Sequence, residues 1–336
     1  MLGRLQGFLA FAAAAFGVLV LSAQTGAQTD KQPEKQPEKK KERDIFDYAA
    51  HKAAKNVQRI VFVADTAPHG AKGNHEFLGA AMYFAQIINA QYPNAYCAVH
   101  TKKGWPKDLK HADTIIVLLN DGGSAVNDAV KEAMSRGAGF MAIHYAVEVN
   151  KGVQGDAFKK WIGGYFEQQW SVNPVWQGEF KEIPKHETTR GVKPFAIKDE
   201  WYYHMRFNDK MEGVTPILTA LPPISTLKKD SDKKSYPREG NPAVNQEVKA
   251  GVKQVVAWAY DRPDGGRGFG FTGLHYHSNL GNDDFRKLLL NAVAWVSKLE
   301  VPANGIETKA LSRQDLDEIL VQKDIAIKTR GIDVKK

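Results

Sequence analysis

Residues 58–65 read QRIVFVAD: five consecutive apolar side chains, three of them β-branched, ending at a carboxylate. A strand with one wet face would alternate polar and apolar residues. An unbroken run of this length suits a parallel strand buried on both faces. A ligand-facing loop is then expected directly after Asp65. Beyond it, Phe77, Ala80, Ala81, Phe84 and Ile88 recur at spacings of three and four, predicting a helix over 75–92 that Pro93 stops.

The unit then repeats. Segments 95–100 and 114–119 read as second and third strands, a Gly122-Gly123 turn leads to a helix over 125–135, and a fourth strand over 140–143 ends at His144. Strands alternating with helices imply an α/β fold: a doubly wound, mostly parallel sheet with helices on both faces, flavodoxin-like in plan. Such sheets bind ligands outside the carboxyl ends of their strands, which puts Asp65, Asn120 and His144 on one rim. The stretch 150–250 is less regular, with aromatic clusters and a polar loop over 228–241, and reads as an elaboration of the same domain. Strands over 254–260 and 268–272 follow, joined by an Asp-Gly-Gly turn that suits a hairpin. Asn282 caps a long helix with the stripe Phe285, Leu288, Leu289, Ala292 and Val296, and a short amphipathic helix is expected over 314–322.

The ends carry a different kind of information. Arg4 precedes an apolar run from Phe8 to Leu21 and then small residues, the pattern of a signal peptide over 1–27, so the mature protein is expected to be exported, periplasmic or extracellular, with no stable membrane span after cleavage. Residues 28–44 mix Lys, Glu, Gln and Pro without one large apolar side chain, which predicts a disordered tether. The α/β domain is expected over 45–300 and a C-terminal extension over 301–336. The lone Cys97 makes no internal disulfide. The net charge of +8 is spread along the chain and interleaved with acids, which argues against nucleic acid as a partner.

Three groups of residues could carry chemistry. HGAKGNHEF, residues 69–77, places His69, His75 and Glu76 beside glycines that allow close backbone approach to a ligand. GAGFMAIHYA, residues 137–146, ends a strand in His144 and Tyr145. GFTGLHYHSN, residues 270–279, carries His275 and His277, which share a face only if the strand continues that far. His144, His275 and His277 are therefore candidate ligands for a divalent, zinc-like ion. Asp199 and Glu200 lie beside Trp201, Tyr202 and Tyr203, a mixture that suits sugar recognition or, equally, a turn over buried rings. There is no Gly-x-Ser-x-Gly elbow, Cys97 falls inside a strand, and no Gly-x-Gly-x-x-Gly follows the first strand, so neither a serine or cysteine hydrolase nor a nicotinamide enzyme is expected.

Taken in order, HGAKGNHEF, GAGFMAIHYA, WIGGYFEQQW (161–170), HETTRGVKPFAIKDEWYYHM (186–205) and GRGFGFTGLHYHSN (266–279) resemble the ThuA-like, trehalose-utilisation family. The resemblance implies a class I glutamine amidotransferase-like fold and a pocket lined by His69, His75, Glu76, His144, Asp199, Glu200 and His275. It also implies that glutamine hydrolysis is absent, because His144 stands where those amidotransferases carry their nucleophilic cysteine. His186-Glu187 replaces a His-Pro pair found in many relatives.

Two readings follow. In the first, an exported enzyme processes a carbohydrate, trehalose-like or an oxidised disaccharide, as a hydrolase or lyase. His144, His275, Glu76 and Glu200 would be catalytic, while Asp65, His69, His75, Asp199, Tyr145 and His277 would contact substrate. In the second, the chain is a non-catalytic carbohydrate-binding envelope protein, whose aromatics around 161–176 would stack on sugar faces.

Overall fold

The computed structural model describes residues 43–227 and 241–334. The expected signal segment, nearly all of the tether and most of the 228–241 loop lie outside the described residues. Arg43 and Asp44, assigned above to the tether, belong to the fold: Arg43 donates to the Pro93 carbonyl at 2.8 Å, and Asp44 pairs with Arg330 at 2.8 Å.

Seven strands, β1 (Gln58–Ala64), β2 (Ala95–Thr101), β3 (Thr114–Leu118), β4 (Gly139–Ile143), β5 (Val214–Ala220), β6 (Gln254–Asp261) and β7 (Arg267–Phe271), form one sheet in the order β5-β6-β7-β4-β3-β1-β2. From β2 through β7 every pairing is parallel, while β6 and β5 add an antiparallel edge. Around the sheet lie the helices α1 (Tyr48–Ala53), α2 (Phe77–Gln91), α3 (Asp128–Ser135), α4 (Val153–Ile162), α5 (Pro242–Lys249), α6 (Asp283–Val296) and α7 (Arg313–Thr329).

The continuous apolar run of β1 has the expected cause. Ile60 and Phe62 pack in one core with Leu78 and Phe84 of α2 and Leu288 of α6, whereas Val61 and Val63 pack in another with Val130 of α3 and Phe158 of α4. Alternate side chains thus serve opposite faces, and all four are fully buried. Each such burial contributes about 1.5–3 kcal/mol. The doubly wound, mostly parallel sheet with helices on both faces is therefore present.

Local caps set the helix edges. The Asn282 side chain accepts the Phe285 N–H at 3.0 Å and starts α6. Asn127 accepts from Val130 at 3.1 Å, so α3 begins at Asp128 rather than near 125. Helix α7 runs to Thr329, beyond the expected end at 322, because its buried face, Leu316, Leu320, Lys323 and Ala326, contains a lysine that interrupts the apolar pattern. Among the described residues no helix is long and apolar enough to cross a membrane.

The middle region adds a two-stranded hairpin, Trp176–Phe180 with Phe195–Asp199, which delivers Asp199 and Glu200 to the rim. Trp161, Trp176, Trp201, Tyr202 and Tyr203 are all buried. Their rings pack in the core, which removes them as exposed platforms for a sugar.

Candidate metal centre

Beyond the carboxyl ends of β4 and β7, four side chains from four separate segments converge. His75 ends the loop before α2, His144 follows β4, Glu200 follows the hairpin, and His275 lies in the loop after β7. One donor atom from each lies within 4.8 Å of every other. The group is closed over: His75 is 3 %, His144 0 % and Glu200 4 % exposed.

The backbone holds this group under strain. His75, His144 and Leu274 have φ of +51°, +56° and +82°, in a region that residues with a side chain seldom adopt. Each departure costs roughly 1–3 kcal/mol and persists only where surrounding contacts enforce it. For Leu274 the enforcing group is Asp199. Its carboxylate accepts the backbone N–H of Leu274 at 2.8 Å, of His275 at 3.0 Å and of Glu200 at 2.8 Å, and the Asn279 amide at 2.9 Å.

Hydrogen bonding sets the tautomers. His75 Nδ1–H donates to the His69 carbonyl and His144 Nδ1–H to the Thr272 carbonyl, the latter at 2.7 Å. A neutral imidazole has one N–H, so both Nε2 atoms carry lone pairs, and these face each other across 3.0 Å. Lone pairs opposed at that distance favour a proton or a cation between them, and the Tyr202 hydroxyl lies 3.4 Å from His144 Nε2. Burial, together with His144 beside it, lowers the His75 pKa to about 3, which disfavours the extra proton. His275 Nδ1 lies 3.1 Å from Glu200 Oε2 without making a hydrogen bond, and Asn173 donates to Glu200 Oε1 at 3.2 Å. Three imidazole nitrogens and a carboxylate oxygen, with carbonyl and amide partners behind them, make a donor set that could hold a transition metal ion.

A family model described as trehalose utilisation matches residues 59–296. The chain belongs to the ThuA family. A ThuA-like protein of known crystal structure from Bacteroides uniformis is 17 % identical, over 72 % of this chain and 93 % of its own, with a TM-score of 0.47. PurLQS from Thermotoga maritima is 12 % identical, over 70 % and 98 %, with a TM-score of 0.37. No curated protein matches the chain.

In this ThuA domain the residues singled out from the sequence separate into groups. His144, His275 and Glu200 come together, joined by His75, which was expected to contact substrate. His277, a candidate ligand, turns away: the chain leaves β7 at Phe271, and His277 Nε2–H donates to the Leu316 carbonyl at 2.9 Å. Glu76, expected to be catalytic, is bound by Lys323 at 2.6 Å and by the Gly73 N–H at 3.2 Å. Asp199 lies behind the cluster with both carboxylate oxygens committed to N–H donors, which makes it a positioning residue. His69 is exposed, with its ring 5.3 Å from that of His75 and 5.9 Å from that of Tyr145. Asp65 accepts the Asn120 backbone N–H at 2.7 Å, on the rim but outside the cluster. His186 caps a short 3-10 turn and packs on Trp295, away from any of these roles. Asn173, the Thr272 carbonyl and Lys323 were not anticipated. No local pattern marks them.

Proposed function

We propose that this ThuA protein is an exported, metal-assisted enzyme of carbohydrate metabolism, acting as a hydrolase or lyase on a trehalose-like or oxidised disaccharide. The observation that carries the reading is the opposition of His75 Nε2 and His144 Nε2 beside His275 and Glu200. The three imidazoles are assigned as ligands of a divalent, zinc-like ion, which when bound supplies Lewis-acid polarisation of a substrate oxygen. Glu200 Oε2 is placed to take and return a proton, with Asn173 fixing the other oxygen. Asp199 holds His275 and Glu200 in register. The trehalose link rests on the family description, and export on the apolar run from Phe8 to Leu21. Glutamine hydrolysis is not part of this reading: Cys97 is buried within β2, and burial pushes its thiol pKa up, away from a reactive thiolate.

The near-complete burial of the cluster favours a second reading. Four protein donors around one ion would close the site as structural metal sites are closed, and the chain would then bind sugar without converting it. Elemental analysis of the purified full chain tests both. Near-stoichiometric metal that is lost in His144→Ala and His275→Ala, with steady turnover of trehalose or its oxidised forms, supports the enzyme. Metal with saturable sugar binding and no product supports the second reading. Protein purified from metal-supplemented medium without bound metal overturns both assignments of the cluster.

A further inference from the structure

A cavity of about 390 Å³ opens outside the carboxyl ends of β1, β2 and β3, lined by Asp65, His69, Lys102 and Asn120 together with Lys103 and the Thr66–Pro68 turn. The position is a topological switch point: β1 and β3 are neighbours, and the chain leaves β1 for β2 on one side and β3 for β4 on the other, which opens a crevice in doubly wound sheets. His69 forms the wall between this cavity and the metal centre, with its ring 5.3 Å from that of His75.

The polar groups here are incompletely matched to one another. Asn120 donates its backbone N–H to Asp65 and its amide to the Ala67 carbonyl at 3.3 Å, but its Oδ1 is buried with no hydrogen-bond partner. A buried orphan acceptor in a native fold calls for a donor from outside it. Lys102 Nζ sits 3.8 Å from Asp65 and 3.8 Å from Asp121, too far for a hydrogen bond to either. Burial also pushes the Asp65 carboxyl upward, partly offset by the Asn120 N–H and Lys102. As for charge, Lys103 is matched by Asp333 at 2.8 Å, which leaves Lys102 shared between two carboxylates. With Lys103 paired to Asp333 and Lys102 facing both Asp65 and Asp121, neither lysine offers an unopposed positive charge, so an anionic ligand would be disfavoured.

We infer that this cavity is the subsite for one neutral sugar ring, with Asn120 Oδ1 and Asp65 accepting from ring hydroxyls and Lys102 donating to a ring oxygen, so that the linkage lies toward His69 and the metal centre. The inference rests on the carbohydrate reading above and names its recognition residues. The mixture fits hydroxyls because each hydroxyl both donates and accepts, and unmatched acceptors beside a free donor accommodate a neighbouring pair of them.

Calorimetric titration of the full chain with trehalose, glucose and glucose 6-phosphate tests it, using the wild type, Asn120→Ala and Lys102→Met. Lys102 is one-third exposed, so its replacement serves as the variant least coupled to folding. The expected result is about a tenfold weaker Kd for trehalose in each variant, with bound metal and melting temperature unchanged and with glucose 6-phosphate binding no more tightly than glucose. Wild-type affinity in both variants overturns the subsite while leaving the carbohydrate reading intact. Tighter binding of glucose 6-phosphate overturns the neutral-ring assignment. No binding of any sugar by the wild type overturns the subsite and the carbohydrate reading together.

Discussion

Lys323 and Glu76 stand 247 residues apart and meet at 2.6 Å, with side chains only 9 % and 3 % exposed. The pair ties α7 to the residue that follows His75. Removing one partner of a buried ion pair strands the other's charge, at about 3–5 kcal/mol. Lys323→Met is therefore expected to lower the unfolding free energy by that order in urea. Adding Glu76→Gln should recover part of the loss, and additive losses in the double variant would contradict the pairing.

An ion held between His75 and His144 stabilises the folded chain by mass action, by about 2.7 kcal/mol at a hundredfold excess over its Kd. Thermal unfolding with and without zinc should show a clear rise in melting temperature for the wild type. His144→Ala should lose that rise, because its Nε2 is one of the two opposed nitrogens. A rise that survives the substitution would place the ion elsewhere.

Asp199 is hydrogen-bonded to the backbone N–H groups of His275 and Glu200. Asp199→Asn keeps its shape but replaces one acceptor oxygen with a donor aimed at N–H groups. Zinc affinity, measured by competition with a chromogenic chelator, should fall about 10–100-fold. Unchanged affinity would mean that the Leu274 turn is held by other contacts.

Acid should destabilise the fold through histidines buried in the neutral form. His51 donates Nε2–H to the Tyr96 carbonyl at 3.1 Å, and burial lowers its pKa to about 4 from an ordinary 6.5. The unfolded chain binds the proton more tightly than the folded one. The stabilisation is thus fully present above pH 6.5 and is lost as pH falls from 6.5 toward 4, by up to ~3 kcal/mol. Urea midpoints across that window should fall less steeply in His51→Gln than in the wild type, and parallel slopes would rule His51 out.

Much of the scaffold was legible because its signals are local. The β1 run, the 3-and-4 spacing of α2 and the Asn282 cap each act within a few residues, and the structure follows them closely. The candidate metal centre was only half legible. His144 follows a strand directly and His275 lies in the loop after one, but the place of His75 in the cluster depends on a partner 69 residues away. The His275-x-His277 spacing misled for a physical reason. It places two imidazoles on one face only in extended backbone, and the chain has already left β7 and turned through Leu274. Lys323 reads as a surface residue of an amphipathic helix, and nothing local tells that its stripe is buried against Glu76.

The stretch shared with the family ends at residue 296, yet Lys323, the Leu316 carbonyl and Asp333 all reach back to the loop and turn around the centre: Lys323 to Glu76, Leu316 to His277 and Asp333 to the Thr66 hydroxyl at 3.0 Å. A chain cut after Val296 would keep all seven strands and all four donor side chains while leaving Glu76 without Lys323 and His277 without the Leu316 carbonyl. The stretch that the family model matches and the set of contacts that brace the cluster thus have different edges. A portable version of this centre, grafted onto another scaffold or trimmed for display, has to carry the last helix with it.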